Sequence, residues 1–258
     1  MLLAIDIGNT NIVLGVFESD ALRQSWRLST NRQRTADELG IWIFHLFEHR
    51  HLDVASVDGI VVASVVPQLT GTTAEMAEHY FARSPLVVEG NVQTGMRVLY
   101  EPPSDVGADR IVNGVAGFER YGRPAGKGVI VVDFGTATTF DAITAAGEYL
   151  GGVICPGVLI SADALFQRAA RLPRVDVRRP ALVIGRSTVG SMQSGLFYGY
   201  VGLVEGIVQR MRRELGGPVV CIATGGLSEL IAPETTAIEL VDRDLTLHGL
   251  RMIWERNR

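Results

Sequence analysis

The residue types best suited to chemistry cluster in two short acidic segments, with Asp133 following Asp6 by 127 positions. In Asp6-Ile7-Gly8-Asn9-Thr10-Asn11 a carboxylate closes an apolar run and a glycine follows two residues later. Glycine lets backbone approach a ligand closely, and successive amides with the Asn and Thr side chains can point at phosphate oxygens. Asp6 is then placed to hold a Mg²⁺ ion bridging those oxygens, the usual answer to the negative charge of phosphoryl transfer. An ordinary hairpin turn would use the same residue types, so one copy decides little. The second copy, Asp133-Phe134-Gly135-Thr136-Ala137-Thr138-Thr139, changes the balance, because two facing turns of this kind would clamp a triphosphate. Other phosphate-binding designs are missing: there is no GxxxxGK[ST], Gly126-Lys127 precedes a strand instead of following one, and no GxGxxG follows a strand.

Two further segments have alternative readings. Thr224-Gly225-Gly226-Leu227 ends a strand-like run and could receive the adenosine end of a nucleotide, or be a plain strand-to-helix turn. Asp109, in Asp105-Val106-Gly107-Ala108-Asp109-Arg110, falls roughly opposite Ile111 at a helix start, away from the buried face. Its carboxylate could take the proton of an attacking hydroxyl while Arg110 holds an anionic group. Spacing alone favours a blander role, in which Asp109 complements the helix dipole and Arg110 makes a surface pair. His45, His49 and His51 lack a local carboxylate or cysteine to complete a metal site and read as surface residues.

The elements that must position these groups are an α/β alternation repeated once. Three strands, Leu2–Ile7, Ile12–Phe17 and Arg23–Leu28, precede a helix opened by the capping box Thr35-Ala36-Asp37-Glu38, with Leu39, Trp42, Ile43, Leu46 and Phe47 as its buried face. A strand over 59–66, a helix over 68–82 and a strand over 86–88 follow. The order recurs with strands at 128–133, 138–144 and 149–154 and a helix over 158–170, which points to duplication. Pro102-Pro103 and the segment 124–128 mark the seams, giving lobes 1–124 and 125–258. A helix over 188–215 carries Gly195, Gly199, Gly202 and Gly206, each costing about 1 kcal/mol of helix propensity. Close packing would offset that, on a second subunit or within the chain. A strand at 219–223 and a final helix over 245–255 close the second lobe.

The 258 residues, 47% hydrophobic, suffice for a sizeable core. A net charge of −4 excludes the basic footprint of a nucleic-acid binder, and no run reaches the roughly 20 apolar residues of a membrane span. The start lacks a signal-peptide pattern, and two cysteines without CxxC spacing suit a reducing cytoplasm.

The ordered series Asp6 to Asn11, Ser64-Val65-Val66-Pro67, Gly107 to Asn113, Val132 to Thr139, Gly151-Gly152 with Pro156-Gly157, Met192 to Gly195, and Ala223 to Gly226 resembles type III pantothenate kinase nearly end to end. The resemblance implies two duplicated ribonuclease-H-like (actin-like) lobes with mixed sheets and a nucleotide cleft between them. It implies that ATP phosphates lie on Asp6, Ile7, Gly8, Asn9, Thr10, Asn11, Ile12 and Val13, with Thr136 a further contact. Asp109 would be the general base, and Tyr100, Gly107, Ala108, Asp109, Arg110 and Thr188 would line the pantothenate pocket. Asp133 would bind a monovalent cation, potassium or ammonium, and the protein would be a cytoplasmic homodimer without nucleic-acid or membrane partners. The rivals are a non-catalytic transcription accessory protein and a sugar or acetate kinase of the same architecture. Glu101-Pro102-Pro103 replaces the common Asn-Pro, and Ser187 stands before Thr188 where Asn is common, departures that leave the chemistry intact.

Overall fold

The structure, a computed structural model, describes residues 1–258. In chain order, β1 (Leu2–Ile7), β2 (Asn11–Glu18) and β3 (Ala21–Ser29) lead to helix α1 (Ala36–His49). Next come β4 (Gly59–Ser64), α2 (Pro67–Phe81), β5 (Leu86–Val87), β6 (Arg97–Val98) and α3 (Ala108–Gly117). A π-helical turn, Phe118–Gly122, joins α3 to the short α4 (Arg123–Ala125). Then follow β7 (Gly128–Phe134), β8 (Ala137–Ile143), β9 (Glu148–Pro156), α5 (Val158–Arg168), α6 (Thr188–Leu215), β10 (Val219–Gly225), α7 (Ser228–Ile231), β11 (Leu240–Val241) and α8 (Leu245–Asn257).

The chain divides into two compact units: residues 1–96, 101–116 and 246–258, and residues 97–100 with 117–245. In the first, the strand order is β3-β2-β1-β4-β5. Strands β1–β2 and β2–β3 pair antiparallel, while β1–β4 and β4–β5 pair parallel. The apolar run Leu2–Ile5 of β1 follows from its central place, since a strand covered on both faces has no solvated side to mark with polar residues. In the second unit the order β11-β10-β7-β8-β9 repeats this arrangement with the same parallel and antiparallel senses. The duplication expected from the sequence is therefore present in topology and direction. One strand is extra: β6 adds parallel to β9 at the edge.

The final helix was expected to close the second lobe, and here the structure corrects the reading. Residues 246–258 belong to the first unit. Leu247 lies over the bare backbone of Gly15, and the Trp254 ring occupies the space that a side chain at Gly59 would need. Arg251, 9% exposed, bonds Asp20 at 2.9 Å, pairs with Glu255 and faces the Phe17 ring at 5.9 Å. Two glycines on β2 and β4, the strands that flank β1, thus provide slots that no local pattern advertises. In α1 the capping box of Thr35 and Glu38 forms as expected. Trp42, however, is 53% exposed. At 100° per residue Ala36, Leu39, Gly40, Ile43 and Phe47 centre one stripe, and Trp42 falls more than 100° from its middle.

Candidate active site

In the first unit, β1 and β2 pair from Leu2↔Phe17 to Ile7↔Ile12, leaving Gly8, Asn9 and Thr10 as the connection. The Gly8 amide donates to Asn11 O at 2.9 Å, and Thr30 fastens the outside of the turn, its Oγ1 donating to Gly8 O at 2.7 Å and its amide to Thr10 O at 2.9 Å. Asn9 and Thr10 are exposed, whereas Ile7 and Ile12 are buried anchors. The exposed tip is thus held by strand pairing below it and Thr30 beside it, a preorganised backbone surface. Asp6, one residue inside β1, is half-buried and pairs across with Val13.

Asp109 is brought to the same end of that sheet. Val65 donates its amide to Ile7 O at 3.0 Å, and a Cβ on Gly107 would lie 3.6 Å from Val65 Cγ1. Gly107 O receives the amides of Arg110 and Ile111 and so starts α3. Asp109 Oδ1 accepts the Arg110 amide at 2.8 Å. The same oxygen would sit 2.6 Å from a Cβ at position 107, so only glycine leaves room for the carboxylate as placed. Burial pushes the Asp109 carboxyl above the usual aspartate value, more than the amide and the Arg110 charge pull it down. This combination argues against a simple dipole-complementing role. Arg110 is buried at 7% exposure and is no surface pair. Asp109 is half-buried, so the full solvent freedom read from its helical angle is not observed.

In the second unit β7 and β8 repeat the hairpin with a turn one residue shorter, Gly135-Thr136, closed by the Gly135 amide on Ala137 O at 3.1 Å. Thr136 is exposed, and its carbonyl receives the Gly157 amide at 3.1 Å. Asp133 lies against β10. Gly225 has φ +87°, and a Cβ there would come 2.4 Å from Asp133 Oδ1 and 2.7 Å from the Phe134 backbone. Thr224-Gly225-Gly226 is thus a cradle for the Asp133 carboxylate, and the Gly226 amide binds Phe134 O at 3.1 Å. The sequence leaves these glycines between the adenosine end of a nucleotide and a plain strand-to-helix turn, and it does not show the contact with Asp133, because register between β7 and β10 is not a local property.

The expected acceptor residues divide between the units, Gly107, Ala108, Asp109 and Arg110 in the first, Tyr100 and Thr188 in the second. Tyr100 follows β6 and covers Gly151, whose φ is +132°. Thr188 begins α6, where Ser187 caps the helix by accepting the Gly190 amide at 3.1 Å. His45, His49 and His51 are all exposed, and His45 lies 3.5 Å from Glu48. No cluster of three or more His, Cys, Asp or Glu side chains suited to a metal occurs. No helix is long and apolar enough to cross a membrane.

A sequence model of type III pantothenate kinase matches residues 2–210. The type III pantothenate kinase of Myxococcus xanthus (strain DK1622) is 57% identical over 257 residues, covering all of this chain and 99% of that protein. This chain belongs to the type III pantothenate kinase family. The Moorella thermoacetica member of the type III pantothenate kinases is 55% identical over 257 residues, with both proteins covered fully. Among solved structures, a 2-dehydro-3-deoxygalactonokinase from Sinorhizobium meliloti aligns with TM-score 0.62 at 13% identity, over 99% of this chain and 96% of that one. A Baf family transcriptional activator from Campylobacter jejuni aligns with TM-score 0.61 at 20% identity, over 99% and 98%. At such identities these structures establish the fold of this pantothenate kinase family member, the two-lobed kinase architecture, and nothing finer.

Proposed function

We propose that this protein transfers the γ-phosphoryl group of ATP to the terminal hydroxyl of pantothenate, giving 4′-phosphopantothenate, the first step of coenzyme A biosynthesis. The observation that carries the reading is Asp109: a half-buried carboxyl at a helix start, raised by burial, against a glycine that leaves it room, in a chain of this family. A carboxylate with a raised pKa is the better base, since proton-transfer efficiency rises as the pKa nears the working pH. Asp109 accepts the hydroxyl proton as the oxygen attacks, and Arg110, Gly107 and Ala108, with Tyr100 and Thr188, hold the acceptor.

The segment from Asp6 to Val13 takes the ATP phosphates on its amides and exposed Asn and Thr side chains, and Thr136 adds a contact. The Asp6 carboxylate at a strand end is a hard oxygen donor of the kind Mg²⁺ prefers, and a bound Mg²⁺ supplies neutralisation of phosphate charge. Asp133 would hold a monovalent cation. The glycine cradle that fixes its oxygen supports this, because a side chain at Gly225 would fill the space beside it. We place the protein in the cytoplasm.

A homodimer is part of the same reading. A Cβ at Gly195, Gly199 or Gly202 of α6 would meet nothing within 4 Å, so packing inside the chain does not account for these glycines. Ile154, Leu159, Ile160 and Leu182 to Ile184 in the same unit are exposed apolar residues, from 44% to 80%. A second copy covering them would offset both costs.

The test is ADP formation against a panel of acceptors in potassium and in sodium buffer. Turnover with pantothenate, faster in potassium, is expected. ADP release with hexoses or acetate and none with pantothenate would assign another kinase activity, and salt-sensitive DNA binding without ADP release would favour the transcription accessory role.

A further inference from the structure

Net charge conceals one strongly basic strip. Residues 163–186 hold six arginines and two aspartates, a local charge of +4, while the remainder of the chain has 18 basic and 26 acidic residues, or −8. The strip runs from the end of α5 into a stretch without regular secondary structure that leads directly to Thr188. It is nonetheless held. Side chains of α6 grip its carbonyls in turn: Gln193 Nε2 donates to Asp176 O at 3.2 Å and Tyr198 OH to Pro180 O at 3.2 Å. Ser194 Oγ donates to Val183 O, and Ser191 Oγ to Gly185 O at 3.3 Å. Gly185 lies so close that a Cβ would be 2.3 Å from the Ser191 amide nitrogen. The strap therefore lies along α6 from Ser191 to Tyr198, a span of about 10 Å.

The arginines on this strap are not explained by internal pairing. Arg179 pairs with Glu234 at 3.2 Å, and Arg174 stacks on the Phe166 ring at 4.8 Å. Arg168, Arg171, Arg178 and Arg186 are exposed and have no carboxylate partner within salt-bridge distance. Four exposed arginines without carboxylate partners, spread from the end of α5 to the residue after the last pinned carbonyl, point to an anionic visitor. Both substrates of the proposed reaction are anions, the nucleotide through its polyphosphate and pantothenate through its carboxylate. The strap ends at the residue proposed to line the acceptor pocket.

We propose that the arginine strap is an anion-gathering rim that raises the local concentration of the charged substrates beside Thr188, without taking part in the chemical step. This rests on the placement of Thr188 in the acceptor pocket. Low ionic strength lets such a rim act over about 30 Å, and about 0.15 M salt shrinks its reach to about 8 Å. The effect belongs in kcat/KM and not in kcat, and it should be steeper for ATP, which has more charge.

The experiment measures kcat and kcat/KM for each substrate from about 10 mM to about 300 mM ionic strength. It compares the unmodified protein with the triple variants Arg168→Gln/Arg171→Gln/Arg178→Gln and Arg168→Lys/Arg171→Lys/Arg178→Lys. The unmodified protein and the lysine variant should lose kcat/KM for ATP about three- to tenfold over that range, and the glutamine variant should start lower and stay flat with kcat preserved. Equal salt slopes in all three proteins would overturn the proposal. So would a flat lysine variant, which would show that shape and not charge matters. Binding of the unmodified protein to phosphatidylserine vesicles, lost in the glutamine variant, would overturn it too by giving the arginines a membrane partner. Slopes are compared between proteins that all turn over pantothenate, so a failed rim is distinguishable from a failed assignment of the acceptor.

Discussion

At the residue scale the site depends on two glycines that make room for two carboxylates. Gly107 leaves space for Asp109 Oδ1 and Gly225 for Asp133 Oδ1. The cause of the raised Asp109 pKa is burial, and the sign of its consequences follows. Below that pKa the carboxyl is protonated and accepts no proton, so kcat/KM should fall on the acid side with a midpoint above the ordinary aspartate range. Gly107→Ala forces the carboxylate to move, and a pH–rate profile of that variant should show lower kcat and an acid limb displaced from the unmodified position. An unchanged profile would mean that Asp109 tolerates the displacement and is not the group being titrated. For stability the sign is opposite to that of a salt-bridged aspartate. The folded state holds the proton more tightly than the unfolded one, so Asp109 lowers stability as pH rises through its shifted pKa.

At the scale of elements, α6 separates what sequence shows from what it hides. Its bounds, 188 to 215, and its glycines were legible in the sequence, and the structure adds the caps that fix its ends, Ser187 and the left-handed Gly216. What the glycines face was not legible, since packing between distant surfaces leaves no local trace. In a helix face open to water Gly199→Ala should stabilise by about 1 kcal/mol. If a second copy packs there, the added methyl group should instead weaken the dimer, which sedimentation at several protein concentrations would register as a shift toward monomer. We expect the shift. The hairpin turns were legible in the same sense: Asp-Xaa-Gly after an apolar run located both, yet the one-residue difference in their lengths appears only from strand register. The basic strap was visible as six arginines in a row of 24 residues but was diluted in the net charge of −4. The sequence could not indicate that α6 pins it.

At the scale of the whole molecule, two copies of one strand order carry two versions of one acidic hairpin, and the repeat was readable because each copy keeps its apolar runs and its Asp-Xaa-Gly. The departure is α8, separated from its partners Gly15, Asp20 and Gly59 by about 200 residues or more. Contacts at that separation lie outside any window over which periodicity is read. Family membership supplies the name of the acceptor, which neither hairpin specifies. The account as a whole turns on Asp109 acting as the base for an attacking pantothenate hydroxyl. The most direct measurement is single-turnover transfer of labelled γ-phosphate from ATP to pantothenate by Asp109→Asn, with nucleotide binding followed in the same samples. The account predicts a rate lower by about 10²–10⁴-fold with ATP affinity nearly unchanged; a variant that phosphorylates pantothenate at close to the unmodified rate would contradict it.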